Sequence, residues 1–149
     1  MSLKYKVISK HKIKGVIFGN LQTDKTNKVL VQREVEKFKM GKYSGKPTYE
    51  NSNRLIKLTY KNFKDRFVII GTGGVFSAED AWTKFINGAS LVQLITGMIF
   101  EGPQLLAQIN RDLSARLQKE GYKNISQIVG SAVWDSTYDV IIKVWLQTK

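Results

Sequence analysis

The chain has 149 residues, 42% of them hydrophobic and 11% aromatic, which suits one domain with a core of its own. It has no cysteine, so disulfides, thiolate metal sites and a cysteine nucleophile are excluded. The net charge of +12 is uneven: residues 1–66 carry 17 Lys and Arg against 5 Asp and Glu, and residues 67–149 carry 7 of each. A basic first part can bind nucleic acid or an acidic membrane surface. No recognition-helix, zinc-finger or RNA-binding aromatic motif accompanies it, and a solvated lysine-rich face is the simpler account. With no secretory signal and no apolar run of the roughly 20 residues that span a bilayer, a soluble, cytoplasmic chain is expected.

In chain order, Met1 to Lys14 places Leu3, Val7, Ile8 and His11 at helical spacing with lysines on the other face, although alternation also permits a strand. His11, the only histidine, reads as a surface residue at the end of a lysine-rich helix. Gly15 to Gly19 is expected to be a buried strand that ends at Asn20. Leu21 to Glu50 is a polar connection of a length more common in functional loops than in plain turns. It closes with the turn-forming stretch Gly41-Lys42-Tyr43-Ser44-Gly45-Lys46-Pro47. Asn51 to Phe63 predicts a helix, with Leu55, Ile56, Leu58, Thr59 and Phe63 inward and Arg54, Lys57 and Lys61 facing water.

The unit around which the chain is organised follows. Val68, Ile69 and Ile70 form a short apolar strand that runs into Gly71-Thr72-Gly73-Gly74. Ser77 with Asp80 matches a capping box, Glu79 adds negative charge at the positive end of the dipole, and Gly88 supplies the stop. Ser90 to Thr96 reads as the next strand. Two strands joined through one helix are parallel, with a right-handed crossover. Adjacent glycines after a buried strand let an anion approach backbone N–H groups, which points to a phosphate. Ile95-Thr96-Gly97 would bring a hydroxyl and further N–H groups beside that turn. A tight connection that binds nothing is the alternative.

Gly102-Pro103 opens another helix, running to about Glu120, with Leu105, Leu106, Ile109, Leu113 and Leu117 as its apolar face. Gly121 stops it, and Asn124 to Gly130 forms a further short turn of helix. In the tail, Trp134, Tyr138, Val140, Ile142, Val144 and Leu146 alternate as in a strand, while Ile141 and Trp145 lie four apart as in a helix.

Four blocks occur in one order: GVIFGN at Gly15 to Asn20, SGKP at Ser44 to Pro47, IIGTGGVFSAEDAWTKFINGASLVQLITGMIFEGP, and GYKNISQIVG at Gly121 to Gly130. Together they resemble the last part of the barrel of a dihydroorotate dehydrogenase of the quinone-linked, membrane-associated class. The similarity runs from about Ile13 to Gly130. A whole (β/α)₈ barrel takes about 250 residues. The resemblance therefore implies an α/β fold comprising the last three βα units of a TIM barrel, with parallel strands and helices outside, over residues 1–130. Residues 131–149 would be an extension outside the family.

The resemblance also implies a site. Gly73, Gly74, Ile95 and Thr96 fall where the family cradles the phosphate of FMN, and Ser44 and Gly45 fall where its backbone meets the flavin phosphate or ribityl chain. Asn20 takes the position of the Asn whose amide binds orotate. Gly19 stands where relatives usually have Thr or Ser, Leu21 where they have Thr, and Lys42 where they have a second glycine. The family oxidises dihydroorotate to orotate in pyrimidine biosynthesis and passes the electrons to a quinone. Its Ser base, its Lys near the flavin and most of its substrate-binding Asn residues belong to the other half of the barrel. This chain alone is thus expected to show no turnover, with a separate N-terminal half-barrel chain, or self-association, completing the site. Such an enzyme would lie in the cytoplasm or peripherally at the inner membrane face. A non-catalytic FMN- or phosphate-binding remnant is the second reading, and a basic nucleic-acid-binding protein the third.

Overall fold

A computed structural model describes residues 7, 8 and 10–133. Val7, Ile8 and Lys10 are helical and His11 lies in a bend. Leu3 and the tail positions from 134 onward lie outside the described residues.

Three strands form one parallel sheet: β1 (Gly15–Phe18), β2 (Val68–Thr72) and β3 (Leu91–Gln93), in that spatial order. The register sets Val16 beside Ile69 and Ile17 beside Ile70, and on the other side Gly71 beside Val92. The first crossover carries α1 (Gln32–Val35), a 3₁₀ turn at Lys46–Thr48 and α2 (Tyr49–Phe63). The second carries α3 (Ala78–Ile86). After β3 come α4 (Thr96–Glu101), α5 (Gln104–Lys119) and a 3₁₀ turn at Ile125–Gln127.

Among the described residues, helices cover one face of the sheet and leave the other open. Ile69 is fully buried with Ile56 of α2, Phe67 and Ala89, while Ile17, Val68 and Leu91 on the opposite face are 53%, 45% and 55% exposed. The expectation of a buried first strand is therefore corrected. Side chains alternate across a strand, and in β1 only Val16 and Phe18 are half-buried, Val16 packing against the cluster around Ile69. Gly71 lies within β2 and not after it. A Cβ there would press on Ala89, Lys84 and Ile56 at 3.1–3.2 Å, so the glycine lets both α2 and α3 close on the strand.

The local signals set α3. The Ser77 hydroxyl accepts the Asp80 N–H at 3.1 Å and caps the helix. The return half of the capping box goes elsewhere, because the Asp80 carboxylate accepts the Phe76 N–H at 2.9 Å and the Lys46 ammonium at 2.8 Å. A second cluster joins α3 to α5 through Ala81, Trp82 and Phe85 against Leu105, Ile109 and Leu113. Leu106, expected inside, is 46% exposed. Leu58 of α2, also expected inside, is at the surface; α2 buries Ile56 and Thr59 as expected, and Ser52 and Asn53 in addition.

The connection from Leu21 to Glu50 is more ordered than its composition implies. Gln22 and Tyr43 exchange backbone hydrogen bonds of 3.0 and 2.8 Å that close its base. Asn27 donates to the Pro47 carbonyl at 3.1 Å, and α2 begins at Tyr49, inside the stretch expected to be loop.

Candidate functional site

A cavity of about 280 Å³ opens at the C-terminal ends of the three strands. Asn20 borders it after β1, Thr72 to Val75 at and beyond the end of β2, and Gln93 to Gly97 at and beyond the end of β3, with Gly45 closing the side that faces the long connection. Chain reversals beyond parallel strands all fall at one end of a sheet, so loops far apart in sequence meet there.

Six residues singled out from the sequence line this cavity: Asn20, Gly45, Gly73, Gly74, Ile95 and Thr96. Ser44 sits beside it, its hydroxyl accepting the Thr96 hydroxyl at 3.2 Å. Gly45 has φ 73°, and a Cβ there would sit 2.8 Å from the Thr96 methyl. The segment expected as a strand to Thr96 ends at Gln93. The chain then turns so that Thr96 opens α4 above Gly45.

Gly73 and Gly74 have φ of 90° and 75°, as a turn rich in glycine predicts. Their missing side chains would point into the protein: a Cβ on Gly73 would strike Thr48 and the Gly19 carbonyl, and one on Gly74 would lie 2.6 Å from the Tyr49 Cβ. Only backbone faces the cavity. The room these glycines make is taken first by the start of α2, which a sequence reading centred on the ligand does not supply. Gly19 is set in the same way, since its Cβ would strike Ser52.

A polar group beneath the turn escaped the sequence reading. Lys84 of α3 is fully buried, and its ammonium donates to the Ser52 hydroxyl at 3.1 Å and lies 4.9 Å from the centre of the Tyr49 ring. Ser52 in turn donates to the Thr72 carbonyl at 2.5 Å. Burial pulls the Lys84 amine down to about 8, against the carboxylates of Asp80 and Glu50, which favour its charged form. The available signal was phase: Lys84 stands three after Ala81 and one before Phe85, on the stripe that α3 buries.

The cavity wall offers backbone groups, the Thr72 and Thr96 hydroxyls and the amides of Asn20 and Gln93, and among the described residues no carboxylate, lysine or histidine borders it. Such a donor set suits a phosphate and a polyol chain, and contains no group able to take a proton from carbon at neutral pH. Whole drug-sized ligands fill about 300–1,000 Å³, so a cavity of 280 Å³ accommodates part of a flavin nucleotide and not all of it. Among the described residues no cluster of His, Asp and Glu is arranged to hold a metal ion.

Parallel strands joined through helices, open on one face and carrying a polar cavity at their C-terminal ends, define a segment of a βα barrel. Comparison with known proteins narrows the class. The family model for dihydroorotate dehydrogenase matches residues 2–117. The chain is 39% identical over 131 residues to the dihydroorotate dehydrogenase (quinone) of Synechococcus elongatus, covering 85% of this chain and 35% of that protein. It is 44% identical over 90 residues to the protein of the same name from Crocosphaera subtropica, 60% of this chain and 24% of that one. The crystal structure of the Eimeria tenella enzyme with ferulenol superposes with a TM-score of 0.76 at 25% identity, over 85% of this chain and 33% of that chain. The chain belongs to the dihydroorotate dehydrogenase family, and it spans about a third of the length of the first relatives it matches.

Proposed function

We propose that this chain forms the last three βα units of an FMN-dependent dihydroorotate dehydrogenase (quinone), and that its own part in the enzyme is to hold the flavin. Residues 1–130 form the barrel segment and residues 131–149 an extension outside it. One observation carries this reading: residues from four separate stretches, chosen without the fold, meet around one cavity at the strand ends. The backbone from Gly73 to Val75 and around Thr96 would hold the phosphate, Ser44 and Gly45 the neighbouring chain, and Asn20 would present its amide to orotate. FMN, when bound, supplies the ring that accepts hydride from dihydroorotate and is reoxidised by quinone.

The residues of this chain bind and orient, and among the described residues none at the cavity serves as a base. Turnover thus requires the preceding strands, supplied by an N-terminal half-barrel chain or by self-association. The open sheet face, with Ile17 and Leu91 more than half exposed, has the apolar character such strands would cover. The chain then works in the cytoplasm or peripherally at the inner membrane face. Among the described residues no helix is long and apolar enough to cross a membrane.

The test is fluorescence titration of the full chain with FMN and with riboflavin, for wild type and for Thr96→Asp. Thr96 is half-buried and outside the glycine turn, so Asp adds a charge at the cavity while its carboxylate can accept from the Ser44 hydroxyl in place of the bond it loses. Saturable FMN binding that exceeds riboflavin binding and collapses in Thr96→Asp supports the reading. Equal affinity for the two flavins, or no binding of either, refutes it for this chain.

A further inference from the structure

Among the described residues, Lys84 is a cation without an ion-pair partner. It is fully buried, yet among the described residues its ammonium has one hydrogen bond, to Ser52, and the Tyr49 ring, with no carboxylate at ion-pair distance. Buried charges are normally paired, because the ion loses its hydration and gains nothing comparable from a lone hydroxyl. The nearest acidic group on the same helix, Asp80, is already engaged by Lys46 at 2.8 Å and by the Phe76 N–H.

The direction of the hydrogen bonds shows where the charge acts. The Lys84 ammonium donates to Ser52, and Ser52 donates to the carbonyl of Thr72. That carbonyl belongs to the same amide as the N–H of Gly73, and no peptide bond among the described residues is cis. In a trans amide the N–H points opposite to the C=O, so a donor chain ending on the carbonyl makes the Gly73 N–H a stronger donor on the far side. Thr72, Gly73 and Gly74 all border the cavity.

We infer that Lys84 is a positioning residue for the anionic end of the ligand, acting through Ser52 and the Thr72–Gly73 peptide and taking the ligand's phosphate as its missing counter-charge. The inference rests on the flavin nucleotide reading above and adds to it a group outside the cavity wall. The other charged or titratable groups around Lys84 are Asp80 on its own helix, Tyr49 and Glu50 at the start of α2, and Lys46 just before them. The lowering of its amine towards 8 agrees with a cation that lacks an anion, and a bound phosphate favours the charged form again.

The experiment compares the FMN and riboflavin affinities of the full chain in wild type, Lys84→Met and Lys46→Met at pH 7 and pH 9.5. Methionine keeps the unbranched stem and removes the charge, and far-ultraviolet circular dichroism establishes that each variant is folded. At pH 7, Lys84→Met is expected to weaken FMN binding about tenfold to a hundredfold, as for loss of a charge-assisted hydrogen bond, with riboflavin binding unchanged. The wild-type preference for FMN is expected to shrink at pH 9.5, and that of Lys84→Met to stay flat. Lys46→Met releases the Asp80 carboxylate as a counter-charge for Lys84 and is expected to shrink the preference in the same direction. If wild type prefers FMN and Lys84→Met keeps that preference, or loses both flavins alike, the role of Lys84 is overturned and the flavin reading stands. If wild type shows no preference, the flavin reading falls and this inference with it.

Discussion

Gly74→Ala separates two reasons for a glycine at the turn, and its effect can be worked out from the geometry. At φ 75° an L-residue costs about 1–2 kcal/mol for the left-handed backbone. The added methyl would also lie 2.6 Å from the Tyr49 Cβ, and forcing a carbon into a packed contact of this kind costs about 1–3 kcal/mol more. The expected loss is thus about 2–5 kcal/mol out of a domain total of about 5–15 kcal/mol. Urea unfolding of the ligand-free chain, followed by tryptophan fluorescence, measures it. With a slope of about 1–3 kcal/mol per molar urea, the midpoint should fall by at least about 0.7 M. Gly121→Ala provides the comparison, because Gly121 has φ 79° and nothing within 4 Å of its Cβ position. It should show the backbone cost alone, about 1–2 kcal/mol. An unchanged midpoint in Gly74→Ala, with flavin binding weakened, would refute the packing explanation and return the glycine to a purely ligand-clearing role.

Three further outcomes are expected. Because the Lys84 amine is lowered to about 8 in the folded chain from 10.5, folded protein binds fewer protons than unfolded protein between those values, and stability should rise with pH across that window by up to about 3 kcal/mol. Urea midpoints from pH 7 to 10.5 should show the rise in wild type, and a Lys84→Met chain that rises equally would sink the assignment. Ser77→Ala removes the hydroxyl that accepts the Asp80 N–H and should cost about 1 kcal/mol, read as a lower melting temperature. Ile109→Ala, in the α3–α5 cluster, should cost about 2–5 kcal/mol, whereas Leu106→Ala one turn away at the surface should stay within about 1 kcal/mol. Equal losses at the two positions would mean that α5 is docked on a different face.

What could be read directly from the residues was whatever depends on near neighbours in sequence. The apolar run Val68 to Ile70, the Ser77 cap and the Gly88 stop specify strand, helix and helix end through backbone angles and hydrogen bonds spanning three or four residues, and all three are present. The family blocks, being sequence patterns themselves, were equally legible, and they brought the cavity residues with them. What required the tertiary structure was everything decided by a partner far along the chain. Ile17 looks like a core residue, but it faces the open side of the sheet, where none of the described residues forms a second layer over it. Leu106 fits the apolar phase of its helix, yet α3 reaches only the adjacent row. Lys84 lies in the phase that α3 buries, but its partner comes only from α2, more than twenty residues upstream, which sets Ser52 against its ammonium. Hydrophobic period tells which faces a segment could bury. Which face meets a neighbour, and which charge is thereby trapped, is set by long-range packing that no local pattern encodes.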